Sequence, residues 1–297
     1  MKKNKFMQKL KNEYLGRGFA IFCGLLIVVL TLSIIIFIAS RGLMTFTKDG
    51  YPLSKFLFST SWNPDTKGGN YGGLIFIVGS TLVSIGAVII SAPVGIALAI
   101  FMNYISPRLG KKVLQPSLEL FVGIPSVVYG WIGFSLLLPL IKKGFGGIGF
   151  SLLAGIIVLS IMILPTIASL SADAIKIVPR DFVEASYGLG ATRWQTISKV
   201  VVPASKTGIL TGVILGLARA FGEALAVQMV IGNSIKLPGS LLSPTSTMTS
   251  ILTMDMGNTV FGTMWNDALW SLALLLLIIS FIFILLVRMI GKRGEIK

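Results

Sequence analysis

Histidine is absent from the 297 residues, and cysteine occurs once. Without imidazole there is no histidine general base and no histidine metal ligand, and Cys23 alone cannot close an intrachain disulfide. Charge is scarce as well: Asp, Glu, Lys and Arg make up 12% of the chain, and only 11 residues are acidic. What remains is apolar, with 54% hydrophobic residues and a mean hydropathy of +0.87, too high for a water-soluble domain of this length. The net charge of +15 is not a nucleic-acid footprint. No basic run is interleaved with aromatics, and the Lys and Arg residues sit in the gaps between apolar stretches.

Those stretches number six: about 18 to 40, 73 to 101, 114 to 141, 148 to 171, 207 to 232 and 268 to 290. Each reaches the roughly 20 residues a helix needs to cross a bilayer, where an open sheet could not satisfy its backbone. The expected fold is therefore an all-α polytopic membrane protein: a tail at 1–17, one transmembrane domain at 18–291 and a second tail at 292–297. The uncharged segment from Gly18 to Ser40 is 23 residues long, longer than a signal-peptide core, so it reads as a retained anchor. Pro93, Pro125, Pro139 and Pro165 fall inside spans, where they are expected to kink helices rather than end them. Counting Lys and Arg in alternate gaps gives 18 on one side and 7 on the other, which places both termini in the cytoplasm. The gaps at 41–72 and 233–267, on the less basic side, read equally well as connectors or as docking surfaces for an external partner.

One cation lies inside a span. Arg219 sits in the fifth stretch, where an isolated charge is costly, and Glu223 follows four residues later. On a continuous helix the two share a face and are expected to pair. Gly208, Gly212, Gly216, Ala220 and Ala224 recur every four residues beside them, a small-residue ridge that lets another backbone approach. Arg219 and Glu223 are thus candidates to line a path for an anion, with Glu223 orienting Arg219 or moderating its hold; a purely structural ion pair is the alternative. In the third stretch, Pro125 frees a backbone group, and Ser126 or Tyr129 can offer hydrogen bonds to an oxyanion; a packed proline kink is the plainer reading. Glu119 in the same stretch reads as an interfacial charge.

The gap at 172–206 carries the most specific pattern. After Pro179, acidic Asp181 and Glu184 open an amphipathic segment that Gly188 and Gly190 interrupt. Glu184-Ala185-Ser186, Gly190 six residues after the glutamate, and Val200-x-Val202-Pro203 resemble the EAA loop of ABC importer permeases, with Ser186, Val200 and Val202 as conservative departures. The resemblance implies a type I importer permease fold with coupling helices in which Glu184, Ala185 and Gly190 fit a groove on an ATPase subunit. No Gly-x-x-x-x-Gly-Lys-Ser/Thr phosphate loop occurs in the chain, so the motor is expected on another polypeptide and this subunit to be non-catalytic.

The string from Arg219 to Asn233 is similar to the fifth-span motif of phosphate-specific permeases, of the PstC type rather than its PstA-type partner. Trp62-x-Pro64 with Tyr71-Gly72-Gly73-Leu74, and Glu119 to Gly130, agree with it. Ala224 departs from the threonine usual there. The resemblance implies an importer of inorganic phosphate in a bacterial plasma membrane. Its implied partners are a second homologous permease, two ATPase subunits on residues 172–206, an extracytoplasmic phosphate-binding protein and lipid, with no cofactor, metal or nucleic acid. Sulfate or molybdate as cargo, a stand-alone secondary transporter and a non-transporting membrane scaffold are the competing readings.

Overall fold

The computed structural model describes residues 16–64 and 68–293; all but the edges of the two expected tails lie outside them. Helix α1 (Gly16–Thr47) leads to a short α2 (Leu53–Phe58) and a hairpin of β1 (Trp62–Asn63) with β2 (Asn70–Tyr71), then to α3 (Leu74–Ile105). Next come α4 (Gln115–Gly123), α5 (Ser126–Phe145) and α6 (Leu152–Lys176). Two surface helices, α7 (Arg180–Gly188) and α8 (Arg193–Ala204), precede α9 (Lys206–Gly222), α10 (Leu225–Ile231), α11 (Met248–Asp255) and α12 (Met264–Arg293). Five helices are long and apolar enough to cross a membrane, and the number rises to six by length and composition if α8 and α9, bent by 68° at their junction, count as one. The architecture is the expected all-α bundle.

Burial sorts the helices. In α6, 67% of the most apolar window is buried, against none of that window in α1. The centre is built where Ile156, Leu159, Ile163 and Ile167 of α6 meet Val83 and Ala87 of α3, Ala220 of α9, and Val227 and Ile231 of α10. The glycine ridge of α9 lies against α6: a Cβ at Gly208 would stand 2.5 Å from Ala174 Cβ, and one at Gly216 would stand 2.6 Å from Ile167 Cγ1. Only residues without side chains allow that approach.

Pro93 and Pro165 sit within continuous helices, as expected of membrane spans. Pro125 departs from expectation. The chain leaves the helix at Ile124 (ψ 128°) and re-enters it at Ser126, so this proline breaks the third span into α4 and α5. Its missing N–H would have bonded the carbonyl of Phe121, four residues back. Tyr129 supplies a replacement, donating its hydroxyl to that oxygen at 2.8 Å.

At the end away from α7 and α8, the first and last spans are clasped. Lys48 Nζ donates to Asp267 Oδ2 (3.2 Å) and to the Gly262 carbonyl (3.0 Å), and Ser271 Oγ donates to the Gly42 carbonyl (2.6 Å). The quoted aromatic strings also meet here, as Trp62 pairs with Tyr71 across the hairpin and packs edge-on against it and Phe76.

Candidate functional site

The fifth span is interrupted where its charges lie. Helix α9 ends at Gly222, Glu223 is extended (φ −75°, ψ 126°), and α10 begins at Leu225. A break in mid-span exposes polar backbone that has to be satisfied within the protein. Glu223 meets that need three ways. Its N–H donates to the Ala220 carbonyl (3.3 Å), its Oε1 accepts from Ala226 N (3.2 Å), and its carbonyl accepts from Thr249 Oγ1 (2.8 Å).

The expected Arg219–Glu223 ion pair is therefore not formed. The i,i+4 relation that would bring the two together holds only on an unbroken helix, and the ion pairs among the described residues are Lys48 with Asp49 and with Asp267. Arg219 turns instead to α6, donating from Nη1 to Thr166 Oγ1 at 2.8 Å. Two spans thus meet at one half-buried guanidinium, through Arg219 of α9 and Thr166 of α6. Ser126 stands one turn before Tyr129, half-buried at the start of α5.

On the other side of the break, Glu223 joins Ser80 and Ser84 of α3 and Thr247 and Thr249 around a cavity of about 10 Å³, room for about one water. Residues 245–250 are all buried, although they belong to the gap expected to be a connector or a docking surface. This segment turns back into the bundle. The Ser246 carbonyl occupies the place a side chain at Gly79 would take, and Met248 N donates to Ser80 Oγ at 2.9 Å. Thr247 caps α11 by accepting from Ser250 N (3.2 Å), and Thr253 Oγ1 donates to Gln228 Oε1 (2.7 Å). A signal for it exists: Leu237 to Met254 carries no charge, which is unusual for a solvated loop.

At the basic end, Glu184 and Ala185 are exposed on α7, and Gly190 has φ +78°, a conformation that favours glycine. Ser186, the departure from the EAA pattern, is buried and bonds Thr196 of α8 through the two hydroxyls at 2.9 Å. Thr192 and Gln195 form a capping box that starts α8, and Arg193 donates to the Ile105 carbonyl at 3.2 Å, pinning the loop to the end of α3. The outer face of this rigid pair carries bare apolar side chains, Leu189 at 90% exposure and Trp194 at 65%. Beside it, Asn103, Tyr104, Lys176, Arg180 and Glu184 line a pocket of about 310 Å³. Among the described residues no group of three or more Cys, Asp or Glu side chains is placed to hold a metal.

Comparison with known proteins adds to this geometry. Residues 91–295 match the family described as binding-protein-dependent transport system inner membrane component. The chain is 52% identical to a probable ABC transporter permease protein, YqgH, of Bacillus subtilis (strain 168), over 96% of this chain and 93% of that one. It is 35% identical to the phosphate transport system permease protein PstC of Pasteurella multocida (strain Pm70), over 95% and 91%, and 32% identical to PstC of Haemophilus influenzae, over 100% and 98%. Its fold resembles a solved bacterial ABC transporter involved in the import of the acidic polysaccharide alginate (TM-score 0.63, 15% identity, 98% of this chain and 100% of that chain). It also resembles the MetNI methionine ABC transporter in inward facing conformations (0.55, 19%, 76% and 95%).

Proposed function

Because the chain belongs to the binding-protein-dependent transport system inner membrane components, the permeases of ABC importers, we propose that it forms half of the translocation path of an ATP-driven importer of inorganic phosphate. The observation that carries this reading is Arg219: a guanidinium within a membrane span, half-buried, held by a neutral hydroxyl and left unpaired by any carboxylate among the described residues. Such a charge attracts an anion and disfavours a cation or a neutral sugar. Phosphate is the anion favoured because the relatives named for a substrate are phosphate permeases. Glu223 belongs to the same path, closing the break beside Arg219, while Ser126 and Tyr129 flank it from α5.

The partners follow from the two ends. Glu184, Ala185 and Gly190 dock an ATPase subunit on residues 172–206, and the exposed Leu189 and Trp194 supply apolar contact. A second homologous permease completes the path and brings the second ATPase. A phosphate-binding protein delivers cargo at the opposite end. The excess of Lys and Arg puts the α7–α8 end and both termini in the cytoplasm, with residues 18–291 as one permease domain in the plasma membrane.

Replacing Arg219 tests the path. R219Q is expected to leave the complex assembled and to abolish phosphate uptake in proteoliposomes; uptake at the normal rate would refute the assignment. Excess sulfate or molybdate that competes fully with phosphate in the same assay would move the substrate to another oxyanion.

A further inference from the structure

We infer that Thr249 is a positioning residue that keeps Arg219 free for the transported anion by holding the fifth span broken; this rests on the path reading above. Two arrangements of the chain around Glu223 are in competition. In an unbroken helix the Glu223 carbonyl would accept from the amide four residues on, and its carboxylate would come within one turn of Arg219. The guanidinium would then be neutralised by its own helix. In the structure that carbonyl accepts from Thr249 Oγ1 at 2.8 Å, and the carboxylate caps Ala226 N. Arg219 donates to Thr166 on another helix.

Thr249 can hold the break because its own position is set elsewhere. It is 5% exposed on α11, and the start of that helix is fixed on α3 by the Met248–Ser80 hydrogen bond and by the Ser246 carbonyl lodged over Gly79. The strut therefore runs from the second span, through a segment of the opposite-end loop, to the unwound turn of the fifth. Without the hydroxyl, the part-buried Glu223 carbonyl loses its partner, and rewinding the helix becomes the way to satisfy it. Rewinding pairs Arg219 with Glu223.

The test uses the full complex reconstituted with its ATPase and binding protein. T249V is expected to keep assembly and basal ATP hydrolysis while lowering phosphate uptake at least about tenfold. T249S, which restores the hydroxyl, is expected to recover most of the rate. T253V, an equal change one turn along α11 on a bond away from the break, serves as control and is expected to transport normally. Normal uptake by T249V, or a T249S as poor as T249V, would overturn the inference. R219Q separates the two levels: if it transports normally the path reading itself falls, whereas a dead R219Q beside a normal T249V removes only the role of Thr249.

Discussion

Thr166 carries the guanidinium of Arg219 on one hydrogen bond from the α6 side, next to Pro165 in the middle of the most buried helix. A hydrogen bond to a charged group contributes about 1.5–3 kcal/mol, so T166V is expected to let Arg219 sample other positions and to slow uptake by about one order of magnitude, with T166S restoring it. Initial rates of labelled phosphate uptake decide; a T166V rate close to normal would mean that something else holds the arginine. At this scale the sequence was a partial guide. It located both charges and the reason they require compensation. It did not show how they are compensated, because the i,i+4 rule presumes an unbroken helix and the carboxylate found a backbone partner, Ala226 N, instead. Gly222, which weakens a helix where it stands, was the one local hint of the break. Tyr129 is a similar case: a carbonyl freed by Pro125 was foreseeable, but not that the tyrosine hydroxyl would be the group to satisfy it, at Phe121.

Between α9 and α6, packing depends on the absence of side chains along the Gly208–Gly216 ridge. G216V would place atoms within 2.6 Å of Ile167 Cγ1, and overpacking of this kind costs about 1–3 kcal/mol. The expected outcome is a clear loss of thermal stability in detergent, read by size-exclusion after heating. G24A, on a helix face with nothing within 4 Å, should show none, and equal stabilities would mean that the helices can separate at no cost. Spans were legible because length and lack of charge are direct requirements of the bilayer. The ridge was legible because its period is that of a helix. Helix α11 was not, since its Ser- and Thr-rich stretch satisfies the composition of a loop and its burial depends on Gly79 and Ser80, some 168 residues away.

Across the whole molecule, two rigid ends are joined by four continuous spans and two broken ones. The α7–α8 pair is locked by Ser186–Thr196 and Arg193–Ile105, so a push on it is passed to α3 rather than absorbed. Its apolar tip is the face proposed above to dock the ATPase. L189D is expected to leave the folded permease as stable as before, because this side chain is 90% exposed, yet to abolish co-purification with the ATPase; retention of the ATPase would move the docking face elsewhere. The loop was recognisable by its resemblance to the EAA loop, whose anchors are close in sequence and need no distant contact to take shape.

The clasp between Lys48 and Asp267 spans 219 residues of sequence. At the roughly 5–20 residues per second of ribosomal synthesis, Lys48 waits about 10–40 s for its partner to be made. Throughout that interval α1 is in the bilayer without its neighbour α12, and the acid that will be sealed from solvent does not yet exist. Biogenesis thus has a fixed order: the clasp between the first and last spans closes only after the ribosome has passed Asp267.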